Sequence, residues 1–319
     1  MSQDKKVIVI GSRKSQLALI QTEWVKQCLS ELHPHLSIEI KTMDTHGDKV
    51  LDVSLSKIGD KGLFTKELED MMLSGEIDLA VHSLKDIPTR LPEGLKLGAI
   101  TKRFNTSDAF IANAKKHGPK CQLKDLPKGA LIGSSSLRRV AQLKKKYPHL
   151  EFKDIRGNLN TRFKKLDDEN SDYDGMILAV AGLERMNLTD RISEVIPDDV
   201  SMYAVGQGAL GVECKDGDAF IQSIINPLND QSSFYCCSAE RSMLRQLEGG
   251  CHVPIGVLSS IVDDNQTLKL QGIVLNLDGT KSIESSHQGP VAQHEQIGIE
   301  LANKLIEMGA KEILNDNKK

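Results

Sequence analysis

The chain has 319 residues, 39% of them hydrophobic and 27% charged, with a formal net charge of -3. That composition suits a globular protein of two or three domains, and no apolar run reaches the roughly 18 to 20 residues that span a bilayer. The slight negative charge argues against a general nucleic-acid binder, and cysteines scattered without a CxxC pair argue against a disulfide framework or a zinc cluster.

The N-terminus has a basic start, but its apolar core is only VIVI, so VIVIGSRKS reads as a buried strand entering a turn, not as a secretion signal. The expected compartment is the cytoplasm. SQLALIQTEWVKQCL follows as a helix, with Leu17, Ile20, Trp24 and Cys28 on one face and Ser15 placed to cap it. LSIEIKTM is a second strand. Residues 46–62, HGDKVLDVSLSKIGDKG, are polar and glycine-punctuated and read as a mobile loop expected to close over a cleft. FTKELEDMMLSG is a helix ending at Gly75, and the strand IDLAVHS leads directly into LKDIP.

After a variable segment near 103–127 the pattern repeats. Strand ALIG, turn SSS and helix LRRVAQLKKK come first. Strand LEFKDI, turn RGN, helix NTRFKKLDD, strand DGMILAV and helix AGLERM follow. Strands alternating with helices imply parallel α/β sheets. SAERSMLRQLEGG then reads as a helix with Gly249 near its end. IGVLSSIV, TLKLQGIVLNL and TKSIESS read as antiparallel strands with turns at DDNQ and DG. A closing helix or helix pair, VAQHEQIGIELANKLIEMGAKEIL, completes a small α+β unit.

Ligands of open α/β sheets bind at the carboxyl ends of strands, and four polar clusters sit at such ends. Ser12, Arg13 and Ser15 can be a helix cap with a surface arginine. Ser134, Ser135, Ser136, Arg138 and Arg139 combine a helix start with two arginines in its first turn. Arginines there oppose the helix dipole, which points to a bound anion. Arg156 and Arg162 flank the GNLN turn, where a solvated basic face is an equal reading, and Arg185 follows. Lys85 and Asp86 follow LAVHS. His82, on that apolar strand, reads as a structural histidine. In LEGGCHVPIG, Gly249, Gly250 and Pro254 set Cys251 on an irregular loop with its sulfur free to engage a ligand. A cleft with many arginines, one carboxylate and one thiol suits a polyanionic ligand and covalent chemistry.

The stretches GSRKSQLALIQ, THGDK, KGLFTKELE, DLAVHSLKDIPT, GSSSLRR, RGNLNTR, ILAVAGLER, YAVGQGALGVEC and AERSMLRQLEGGCHVPIG resemble, in order and spacing, the porphobilinogen deaminase (hydroxymethylbilane synthase) family over essentially the whole length. The resemblance implies an α/β fold of two lobes like those of type II periplasmic binding proteins plus a small C-terminal α+β domain. It divides the chain into residues 1–103 with 204–226, residues 104–203, and residues 227–319. It implies a transferase of heme and tetrapyrrole biosynthesis that joins four porphobilinogen molecules head to tail with release of ammonia. The growing chain is carried on a dipyrromethane cofactor, one per chain, held by a thioether to Cys251. Asp86 matches the catalytic aspartate. Ser83, Lys85, Ser134, Ser136, Arg138, Arg139, Arg162, Arg185 and Gln207 match cofactor contacts, and Arg13, Ser15, Arg156 and Arg162 match substrate contacts. Neither metal, nucleic acid nor membrane is implied, and the expected state is a monomer. Many members have threonine where this chain has Ser134, which keeps the hydroxyl.

Three other classes fit parts of the sequence. A two-lobed solute-binding protein explains the arginines but leaves Cys251 and the third domain without a role. A cysteine-nucleophile enzyme requires a base near the thiol, and only His252 is adjacent. A polyanion or RNA binder has few stacking platforms in a chain that is 4% aromatic.

Overall fold

Strand β1 (Val7–Arg13) pairs in parallel with β2 (Ser37–Met43) and β3 (Leu79–Ser83). The computed structural model describes residues 7–45, 65–247, 253–264 and 266–317. Cys251, His252, the glycines before them and the 46–62 loop lie outside the described residues.

The first sheet is completed by β4 (Leu95–Ile100) and by β10 (Leu210–Lys215), in the order β2-β1-β3-β10-β4. β10 runs antiparallel to both of its neighbours. The second sheet repeats this plan with β5 (Asp108–Ala112), β6 (Leu131–Gly133), β7 (Glu151–Lys153), β8 (Gly175–Ala179) and β9 (Glu194–Val195), in the order β7-β6-β8-β5-β9. There β5 is the antiparallel strand. The chain leaves the first sheet after β4 and returns through β10, so each lobe is closed by a strand adjoining a crossing. The third sheet, β11 (Ile255–Val262), β12 (Thr267–Leu275) and β13 (Ser282–Pro290), is an antiparallel meander. Helices 231–246 and 294–307 cover it around Met243, Val257, Leu270, Leu301 and Leu305. The two helices approach so closely at Gly298 that a Cβ there would sit 2.2 Å from the Ala239 carbonyl oxygen.

Three local outcomes differ from the sequence reading. Helix 16–32 buries Ala18, Gln21, Thr22, Val25 and Leu29, while Trp24 stays 38% exposed. The inward face is turned by one residue, about 100°. The reason is polar: Thr22 donates to Ser12 at 2.8 Å, and Gln21 donates to Ser83 at 3.0 Å. The variable segment contains β5, whose five residues are all buried. Helix 231–246 begins well before SAERS, capped by Asp230, which accepts from the Ser233 N–H.

One buried carboxylate ties both crossings to the third domain. Glu240, on helix 231–246, receives Arg103 Nη1 at 2.6 Å and Nη2 at 3.0 Å from the outgoing crossing. It also accepts the Gly206 N–H at 2.8 Å from the return crossing. Burial disfavours the Arg103 charge, but Glu240 outweighs it and holds the guanidinium well above its ordinary pKa.

Candidate active site

The carboxyl ends of the parallel strands of both sheets converge on a cavity of about 490 Å³ between the lobes. β1 delivers Arg13 and Ser15. Ser15 Oγ accepts from the Ala18 N–H at 3.4 Å and so caps helix 16–32 as expected. β3 delivers Ser83 and runs into a 3-10 turn, Leu84–Asp86, which places Lys85 and Asp86 on the wall.

From the second lobe, helix 137–146 contributes Arg139, and the turn after β7 contributes Arg156. That turn needs Gly157, at φ +108, before Asn158 caps helix 159–167 by accepting from the Thr161 N–H. Arg162, one turn on, donates Nε to the Gly157 carbonyl at 2.8 Å. Arg185, from helix 180–185, donates to the Gly208 carbonyl at 2.8 Å and lies 4.5 Å over the Phe104 ring. Gln207 arrives on the return crossing.

The cavity therefore gathers Arg13, Ser15, Ser83, Lys85, Asp86, Arg139, Arg156, Arg162, Arg185 and Gln207 of the sequence-predicted residues. Of the described ones it does not gather Ser134, Ser136 and Arg138. Ser136 caps helix 137–146 and, with Arg138, lines a smaller space that runs from Lys85 to Val253 and Ile255 beside the third sheet. Ser134 is buried, and its hydroxyl accepts the Ser136 N–H at 3.3 Å. His82 is a buried neighbour of Glu213, its Nε2 3.3 Å from Glu213 Oε2. Among the described residues, no group of three or more His, Cys, Asp or Glu side chains is disposed to hold a metal ion.

Beside Arg138 and Arg139 stands a carboxylate of the protein itself. Asp108, fully buried at the start of β5, lies 2.8 Å from Arg138 Nη1 and 2.7 Å from Arg139 Nη2. Burial opposes its ionisation, but the two guanidiniums outweigh burial and hold its carboxyl well below the usual range. Sequence reasoning missed Asp108 because nothing sets apart one aspartate before a short apolar run.

Cations are crowded elsewhere in the cavity. Burial first, then Arg139, bring the Lys85 ammonium down to about 8. Burial first, then Arg139, bring Arg162 to about 10, and burial brings Arg185 to about 10. Both arginines stay charged at neutral pH. Asp86 is exposed into this basic surround, and Asp44, at the rim, is paired with Lys14 at 2.7 Å. A wider crevice of about 940 Å³ lies by Arg103 and the third sheet. Its polar lining is largely sheet-surface side chains such as Lys269, Gln271 and Gln288, and among the described residues none of the sequence-predicted site residues faces it. The smaller cavity, with donors converging from several strand ends, is the one fitted for chemistry.

A family model described as porphobilinogen deaminase, dipyromethane cofactor binding domain, matches residues 8–223. A second, porphobilinogen deaminase, C-terminal domain, matches residues 234–307. The chain is 72% identical over 312 residues to porphobilinogen deaminase of Dictyostelium discoideum, covering 97% of this chain and 96% of that one. It is 53% identical over 318 residues to that of Synechococcus elongatus, covering 99% and 97%. Among solved structures, the periplasmic VFT2 domain of Bordetella pertussis BvgS matches 70% of this chain and 86% of its own at 14% identity and a TM-score of 0.41. The BenM effector-binding domain with benzoate matches 70% and 90%, also at 14% and 0.41.

Proposed function

The chain belongs to the porphobilinogen deaminase family, and from that premise we propose that the interlobe cavity is where porphobilinogen is bound and condensed, with Asp86 as the catalytic carboxylate. The reaction is the head-to-tail joining of four porphobilinogen molecules into hydroxymethylbilane with release of ammonia, a transferase step of tetrapyrrole and heme biosynthesis. Its cofactor is dipyrromethane.

The observation that carries the site assignment is the donor set around Asp86. Each pyrrole unit bears an acetate and a propionate, so the ligand is rich in carboxylates and presents ring N–H groups. Lys85, Arg139, Arg162 and Arg185 line one cavity with Arg13 and Arg156, and guanidinium forks suit carboxylates. Among the described residues the cavity carries two carboxylates, Asp86 and, at the rim, Asp44, which is paired with Lys14. Donors for carboxylates and acceptors for N–H groups are the complement such a ligand requires.

When bound, dipyrromethane supplies the nucleophilic pyrrole carbon on which the chain is extended. The chain's own residues do the rest. Arg13, Ser15, Arg156 and Arg162 bind the carboxylates of the incoming substrate. Ser83, Lys85, Arg138, Arg139, Arg162, Arg185 and Gln207 hold those of the cofactor, with Ser134 and Ser136 shaping the turn beneath them. Departure of ammonia from porphobilinogen leaves a cation on the substrate. Asp86, a carboxylate fixed on a short turn amid cations, accepts the ring N–H and stabilises that charge as it develops.

Cys251 is the proposed thioether anchor. Val253, two residues beyond Cys251, borders the space lined by Lys85, Ser136 and Arg138, which supports this reading. The three-part division at 103, 204 and 226 is retained with this reading. Among the described residues no helix is long and apolar enough to cross a membrane, and the reading adds a cytoplasmic monomer acting on a small-molecule substrate without nucleic acid. The experiment is the intact mass of the purified chain and of Cys251→Ser. An excess equal to two linked pyrrole units in the wild type, absent from the variant, is expected. A bare wild-type mass that incubation with porphobilinogen does not raise would overturn the anchor.

A further inference from the structure

The arginine reading above leaves open why Arg138 and Arg139 are held where they are. Adjacent guanidiniums repel, and both sit in the first turn of helix 137–146, where the helix dipole also disfavours cations. Both are nearly buried, at 4% and 6% exposure. Left to themselves such side chains would turn to solvent.

One carboxylate prevents that. Asp108 Oδ1 receives Arg139 Nε at 3.0 Å and Nη2 at 2.7 Å, while Oδ2 lies 2.8 Å from Arg138 Nη1. Two further donors complete the shell: Gln207 Nε2 at 2.9 Å to Oδ1 and the Ser201 hydroxyl at 3.4 Å to Oδ2. Two cations against one anion leave the trio with one net positive charge facing the ligand space.

Gln207 is fixed by the same group. Its amide nitrogen meets Asp108 Oδ1 and, at 2.6 Å, the Thr106 carbonyl oxygen. Both are acceptors only, so the NH2 end must point to them. The acceptor, Oε1, is itself buried and has no partner among the described residues, so the amide is held in one orientation at the floor of the cavity. Asp108 thus sets the position of two cations and the polarity of one amide across the crossing between lobes.

We propose that Asp108 is a positioning residue of the reaction: its single carboxylate pre-organises Arg138, Arg139 and the Gln207 amide before any carboxylate-bearing ligand arrives. The inference rests on the reading that these arginines hold pyrrole carboxylates. Groups fixed in advance lose little freedom on binding, so loss of Asp108 weakens binding more than it slows the chemical step.

The test is Asp108→Asn in the full chain, read by thermal melting, by intact mass for the fraction carrying dipyrromethane, and by kcat and KM per loaded chain. The expected result is lower cofactor occupancy and a KM raised about tenfold, with kcat per loaded chain within about threefold, because uniform binding is what is lost. A merely structural role would lower the yield of active enzyme and leave KM unchanged, which overturns the proposal, as does wild-type occupancy and KM together.

If Asp108→Asn does not fold, the double variant D108N/R138Q restores one net positive charge to the trio and is compared with R138Q. Equal KM and occupancy in the two refute the positioning role, and a KM several-fold higher in the double variant supports it. R138Q and R139Q alone separate the role of the arginines from that of Asp108. If both leave KM and occupancy unchanged, the arginine reading itself fails. If they raise KM while D108N does not, only the role of Asp108 fails.

Discussion

Glu240→Gln is the sharpest test of how the lobes are held to the third domain. The side chain is fully buried, and besides Arg103 and the Gly206 N–H it accepts from Ser259 Oγ at 2.6 Å. The amide is nearly isosteric, so packing is unchanged. What changes is that Arg103, whose side chain is only 12% exposed, loses its counter-ion and faces an NH2 group. Breaking a buried pair in this way costs about 3–5 kcal/mol. Unfolding entropy of about 2.1 cal/mol/K per residue over 319 residues amounts to roughly 0.7 kcal/mol/K, so a single cooperative transition should fall by about 4–8 °C. Differential scanning calorimetry at neutral pH reads this directly. A drop of under about 1 °C would mean that the Arg103–Glu240 pair is already solvated or replaceable, and would refute the view that one carboxylate pins both crossings.

Asp86→Asn should cut product formation at least about a hundredfold. It should leave the melting temperature within about 1 °C, since Asp86 is an exposed side chain; turnover at the wild-type rate would remove Asp86 from its role. Lys85 should give the apo-chain an alkaline limb. Its ammonium, normally at 10.5, is brought to about 8 by burial and then Arg139, so it is charged at neutral pH and loses its charge as pH rises through about 8. Cofactor uptake from porphobilinogen should weaken over that range, and Lys85→Arg should abolish the limb. Uptake that stays flat from about pH 7 to about pH 10 in the wild type would contradict this. The effect on stability has the opposite sense. Between about 8 and 10.5 the unfolded chain binds the extra proton, so this group's contribution to stability increases as pH rises through the window.

The sequence by itself determined a good deal. Strand-helix alternation predicts two parallel sheets and is right for four strands of each, while β10 and β5, which adjoin the crossings, run antiparallel and make both sheets mixed; the turns at DDNQ and DG indicate the antiparallel third, because those signals are local: side-chain periodicity and residues that tolerate tight turns. The carboxyl ends of strands located Lys85, Asp86, Arg156, Arg162 and Arg185 correctly on one cavity, since the rule that ligands bind there needs only strand direction. The family's motifs supplied the chemistry and the proposed anchor role of Cys251, which no spacing could.

What only the tertiary structure decided are the relations between distant segments. The inward face of helix 16–32 was misread by one residue because Ser12 and Ser83, on separate strands, select Thr22 and Gln21 as partners. The first-turn arginines of helix 137–146 point to a bound anion, but the carboxylate of the chain that pairs with them, Asp108, lies 31 residues upstream of Arg139. Glu240 pins crossings 137 and 34 residues away, at Arg103 and Gly206. Pairing energy between buried charges depends on separation in space and on exclusion of water, and neither quantity is written along the chain.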